Sequence, residues 1–146
     1  MDIFEFRERG NSGVDPKIED LAHKTIGACI EVHRHLGPGL PESVYRRALS
    51  HELTLRGIPH QCEVTIPILY KGQAVGECRV DIFVIDGLVL ELKAVDSLND
   101  TFRAQVLTYL QLLKLPLGLL INFNVAMLRN GIKRVINSYP TEPDPI

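Results

Sequence analysis

The sequence predicts an α/β fold: a central mixed β-sheet flanked by helices. Three observations predict it. Two N-terminal stretches place apolar residues at helical spacing. A charged but otherwise apolar hairpin follows, between Cys78 and Val95. Then come a helix and a short, wholly apolar strand. Hairpin strands pair antiparallel, whereas a strand, helix, strand succession implies a right-handed crossover and parallel pairing. The sheet is therefore mixed.

The elements read as follows. Residues 1–14 are polar with two glycines and are expected to form a flexible arm. Asp15-Pro16 reads as an N-cap followed by proline at the first helical position. Ile18, Leu21, Ala22, Thr25, Ile26, Cys29, Val32, His33 and Leu36 then form one stripe, ending at Gly37-Pro38-Gly39. His33 on that stripe reads first as a satisfied core histidine and second as a group near a site. A second helix is expected from about Pro41 to Arg56, with Val44, Tyr45, Ala48, Leu49 and Leu53 inward. Glu42 falls in its first turn. There it is either an acid favoured by the helix N-terminus or a third carboxylate aimed at the hairpin.

Residues 63–70 alternate as a strand, and Pro67 marks it as an edge. Lys71-Gly72 turns the chain into a strand running unbroken from Gln73 to Val84. A helix is expected from Asn99 or Asp100 to about Lys114, with Gln105 and Tyr109 on one face. Leu117 to Phe123 is the apolar strand, as suits burial on both faces. Ile132 to Ile136 forms a last strand. The proline-rich residues 140–146 are expected to be disordered, leaving 15–139 as one domain.

The hairpin carries the chemistry. Glu91 and Lys93 share a face because strand side chains alternate. A two-residue Asp86-Gly87 loop would set Asp81 opposite Leu92. A three-residue loop, Ile85-Asp86-Gly87, pairs Val84 with Leu88 and Asp81 with Glu91, with Gly87 at its left-handed position. The apolar pattern selects the second. One face then collects Cys78, Val80, Ile82, Val84, Leu88, Leu90, Leu92 and Ala94, with no charge among them. Two carboxylates placed side by side repel, so a cation belongs beside them, and a hard divalent metal fits oxygen ligands.

Composition bounds the rest. The chain has 146 residues, 45% hydrophobic and 23% charged, as in ordinary globular domains. No apolar run is long enough to cross a membrane, and residues 1–10 do not read as a signal peptide. Three cysteines, Cys29, Cys62 and Cys78, read as free thiols in a reducing cytoplasm. Cys62, Cys78 and His60 match no standard zinc spacing. The net charge of −2 does not announce a nucleic-acid binder. Residues 21–139, however, carry 13 bases against 10 acids, which permits a phosphate-rich ligand. Arg46, Arg79 and Arg103 are candidate phosphate contacts, Arg46 reading more readily as a solvated charge.

Gly39-Leu40-Pro41-Glu42-Ser43-Val44-Tyr45 fits a Gly-x-x-Glu-x-x-Tyr signature. With Asp81, Glu91-Leu92-Lys93, Gln105-x-x-x-Tyr109 and Leu120-Ile121-Asn122-Phe123, the chain resembles the GxxExxY protein family of the PD-(D/E)XK nuclease superfamily. The match runs from about Ile18 to Asn137. Val80 stands where the superfamily name has proline. The resemblance implies the restriction-endonuclease-like PD-(D/E)XK fold and a Mg²⁺- or Mn²⁺-dependent nuclease acting on nucleic acid, DNA rather than RNA. It implies Asp81, Glu91 and the Leu92 carbonyl as metal ligands, Glu42 as extending the metal shell directly or through water, and Lys93 as the group that orients or helps deprotonate water. Gln105 and Tyr109 match a motif of RecB-type and lambda-exonuclease-type nucleases, which suggests exonucleolytic action. Tyr45, Arg79 and Arg103 are expected at the substrate. By analogy, so small a chain is expected to form a homo-oligomer. The alternative is a catalytically silent module of the same fold that binds nucleic acid or a protein.

Overall fold

A computed structural model describes residues 13–138. The tail expected over residues 140–146, and all of the expected arm but its last two residues, lie outside them. Helix α1 spans Pro16–Leu36 and α2 spans Glu42–Leu55. Strands β1 (His60–Tyr70), β2 (Gln73–Val84) and β3 (Leu88–Lys93) follow, then helix α3 (Asp100–Leu113), strand β4 (Leu117–Asn122), a short 3-10 turn (Leu128–Gly131) and strand β5 (Ile132–Ile136).

Local chemistry explains the boundaries. Asp15 caps α1, its carboxylate accepting from the Lys17 N–H at 2.8 Å. Gly37, at φ 66, ends that helix in a conformation that disfavours other residues. Asn99 caps α3 by accepting from the Phe102 N–H at 3.1 Å. The first strand begins at His60, three residues before the alternation becomes visible. The 3-10 turn before β5 has no counterpart in the apolar pattern.

The five strands are ordered β1-β2-β3-β4-β5. The β3–β4 pair is parallel and the other three are antiparallel, so the sheet is mixed as expected. Pro67 lies on the edge strand β1. The β2–β3 turn has the three-residue form, with Val84 opposite Leu88 and Gly87 at φ 117.

Helices cover both faces. Ala22, Ile26, Cys29, Tyr45 and Leu49 pack with Leu88, Leu90, Leu92 and Ile121 on one side. Val106, Tyr109 and Leu110 of α3 pack with Val89 and Leu120 on the other. Among the described residues no helix is long and apolar enough to cross a membrane.

One expectation is corrected. The even-numbered residues of β2 do not line a single face. Ile82 and Val84 belong to the α1–α2 side, but Cys78 and Val80 belong to the α3 side. The reason lies at Glu63, opposite Asp81. Cys62 pairs with Ile82 and Val64 with Val80, but the pair between them is missing from the ladder. Glu63 has φ 55, uncommon for a residue with a side chain, and it turns the strand there. Asp81 therefore sits at a corner of the sheet.

Gly131 tests the close approach of β5 to β4. A Cβ there would collide with the Asn122 carbonyl and press on the Val125 side chain. Gly131→Ala is expected to lower stability by about 1–3 kcal/mol. An unchanged midpoint in urea unfolding would contradict this packing.

Candidate active site

The corner in β2 exposes a backbone need and meets it. The β2–β3 ladder ends at Ile82–Leu90, one pair short of Asp81. The Leu92 N–H donates instead to the Asp81 carboxylate, Oδ2 accepting at 2.8 Å. That bond fixes Asp81 beside Glu91. Both acids are buried, Asp81 at 8% and Glu91 at 3% exposure. Lys93 reaches Glu91 Oε2 with its Nζ at 3.5 Å. The same ammonium lies 4.7 Å from the centre of the Phe102 ring, a cation–π contact with the first turn of α3.

The electrostatics follow from burial. Desolvation, and then the Asp81 charge, push the Glu91 carboxyl up to about 8, and Lys93 offsets only part of this. Glu91 Oε1 is buried without a hydrogen-bond partner. A buried carboxylate oxygen left without a partner is costly, so the position suits a cation. Mg²⁺ binds through one or two carboxylates and keeps several waters, and the Asp81–Glu91 pair meets that demand.

The remaining candidates divide. Tyr109 is 3% exposed, and its hydroxyl is pushed up first by burial and then by the Glu91, Cys78 and Asp81 charges. A hydrogen bond from Gln105 acts in the opposite direction. Gln105 and Tyr109 therefore form one unit beside the carboxylates. Glu42 is half-buried at the start of α2. Its carboxyl is raised by burial and by Asp81, against the pull of Lys93, Arg46 and Arg79. It feels the site without closing on it. Among the described residues no three His, Cys, Asp or Glu side chains gather closely enough to hold a metal. Arg79 pairs with Glu63 at 3.9 Å, whereas Arg103 is exposed on α3 and has no ion pair among the described residues.

Tyr45 is corrected. It is fully buried and has no surface to offer a substrate. Its hydroxyl donates to the Gly37 carbonyl at 2.5 Å and accepts from the Leu40 N–H at 3.2 Å. Its ring stacks on Phe123 at 4.6 Å between centroids. Tyr45 thus holds the loop that delivers Glu42. His33 is the core histidine expected first, with Nε2 2.8 Å from the Val125 carbonyl.

Asn122 and Phe102 were not visible as site residues in the sequence. Asn122 is 2% exposed at the end of β4, level with Lys93. Its amide clamps Val95, accepting from the Val95 N–H at 3.0 Å and donating to its carbonyl at 2.9 Å. This holds the chain just past Lys93. A lone asparagine closing a wholly apolar strand was the available signal.

The raised Glu91 carboxyl sets a pH dependence. The folded protein holds a proton that the unfolded chain releases above its ordinary value of 4.5. The metal-free protein should therefore lose stability as pH rises from there through about 8. Urea unfolding in EDTA across that window should show the decline, and Glu91→Gln should flatten it. An equal slope in the variant would refute the assignment.

A family model described as the PD-(D/E)XK nuclease superfamily matches residues 19–135. No curated protein and no solved structure matches the chain. The matched residues run from α1 into β5 and include the corner that brings Asp81, Glu91 and Lys93 together. Well over half of the sequence is covered, and the chain belongs to the PD-(D/E)XK nuclease superfamily.

Proposed function

We propose that this protein is a metal-dependent nuclease of the GxxExxY family that hydrolyses phosphodiester bonds in DNA. One observation carries the reading. Two buried carboxylates and a lysine share one corner of the sheet, and Glu91 keeps a buried oxygen without a partner. Without a cation, the two carboxylates are relieved only by a proton shared between them and by Lys93 on one side.

Asp81 and Glu91 would hold Mg²⁺ or Mn²⁺, with Glu42 acting through water. When bound, the cation acidifies water and offsets charge developing on the phosphoryl group. The protein's own groups do the rest. The Leu92 N–H holds Asp81 in place. Lys93, steered by Glu91 and Phe102, orients the attacking water and stabilises negative charge. The Gln105–Tyr109 unit positions the strand beside the carboxylates, and its place supports exonucleolytic action.

The test is cleavage of end-labelled single-stranded DNA, duplex DNA and RNA with Mg²⁺ or Mn²⁺, with EDTA as control. Lys93→Ala should reduce the rate by about 10²- to 10³-fold. Metal binding without cutting of any substrate would favour the silent nucleic-acid-binding module. Neither cutting nor metal binding would sink the catalytic reading.

A further inference from the structure

Helix α2 and strand β1 border a cleft of about 530 Å³; one of its walls is Glu63, which stands opposite Asp81 in the strand register. Arg46, Arg47, Ser50, His51, Cys62 and Glu63 are among its lining residues. Two arginines from different elements converge there on one oxygen. Arg46 Nη2 lies 3.2 Å from Glu63 Oε1, and Arg79 Nη1 lies 3.9 Å from the same atom. Both arginines also act on the Glu42 carboxyl, one helical turn before Arg46. Arg47 and His51 have no carboxylate partner among the described residues.

Glu63 is unusual in two ways. It stands opposite Asp81 in the strand register, and it is held at φ 55. Non-glycine residues in that region are strained, and such strain concentrates at functional positions. Its side chain is 43% exposed, and exposed ion pairs are weak and readily exchanged. Paired guanidinium groups suit the oxygens of a phosphate as well as those of a carboxylate.

We propose that Glu63 is an internal stand-in for a substrate phosphate. It keeps Arg46 and Arg79 converged in the free protein. It is displaced when a phosphodiester of a nucleic-acid strand, running from the Asp81–Glu91 corner past Arg47 and His51, takes its place. The identity of the strand rests on the nuclease reading, whereas the exchange of one anion for another is a binding event that needs no catalysis.

The experiment is fluorescence anisotropy of a short fluorescein-labelled single-stranded DNA in EDTA at low salt, so that binding is read without cutting. Circular dichroism checks that each variant is folded. Glu63→Gln should tighten binding by about two- to fivefold, the worth of an exposed ion pair. That gain should vanish when Arg46→Gln and Arg79→Gln are also present. Arg47→Gln should weaken binding and lower the salt slope by about 1. Lys133→Gln, on β5, controls for general charge. If Glu63→Gln binds no tighter, or gains equally without the two arginines, the stand-in is overturned. An Arg47→Gln variant with an unchanged salt slope overturns the path along α2. If wild-type protein cuts DNA while Glu63→Gln changes nothing, this inference alone falls. If no variant binds DNA and wild type cuts none, the nuclease reading falls with it.

Discussion

Everything at the site depends on one local failure of the β ladder. Where β2 reaches Asp81, the strand turns, and Leu92 loses a backbone partner on that side. The Asp81 carboxylate replaces it at 2.8 Å. Without the bend, Asp81 would be one more ladder residue with its carboxylate free. With it, a carboxylate is locked against Glu91 in a nearly dry corner. Two like charges there oppose each other, and burial disfavours both. Lys93 relieves only part of this, since Glu91 remains raised. The fold carries this unfavourable arrangement because the sheet around it is held on both faces by separate apolar clusters.

Two buried polar side chains tie that corner to the rest of the molecule. Asn122 holds the chain past Lys93 by pairing with both backbone groups of Val95. Tyr45 holds the Gly37–Leu40 loop while its ring packs on Phe123, the residue after Asn122. The ends of β3, β4 and α2 are thereby linked through neighbouring residues of one segment. Glu42 inherits its place from Tyr45, and Lys93 from Asn122. Such groups are satisfied by a fixed geometry or not at all, so they define positions more sharply than apolar packing does.

Bulk charge is a poor guide to this protein. A net −2 hides a place where arginines from α2 and β2 meet on one carboxylate oxygen, that of Glu63. The neutralising partner, Glu63, lies on the edge strand at the same bend that creates the site. One departure from regular β geometry thus sets both the carboxylate corner and the charge next to it.

Much of the architecture was legible in the sequence because periodicity and turn chemistry are local. The helix starts at Asp15-Pro16 and Asn99, the three-residue turn at Gly87 and the edge position of Pro67 all follow from short-range rules. The register of the β2–β3 hairpin follows too, since a slip would have buried the charges of the wrong face. Hence Asp81, Glu91 and Lys93 group together on local rules alone. The roles of Tyr45, Asn122 and Glu63 could not. A tyrosine or asparagine looks the same in sequence whether it meets substrate or a distant carbonyl. The bend at Glu63 leaves alternation intact while exchanging the faces of Cys78 and Val80. By itself the sequence determined the elements, their order and the hairpin register from Val84–Leu88 to Ile82–Leu90, through contacts between residues near each other in the chain; the Asp81–Glu91 ladder pair it also predicted is replaced by the bond from the Leu92 N–H to Asp81. Only the tertiary structure decided which polar groups face the site and which face backbone, because those partners lie up to 92 residues apart, as His33 and Val125 do.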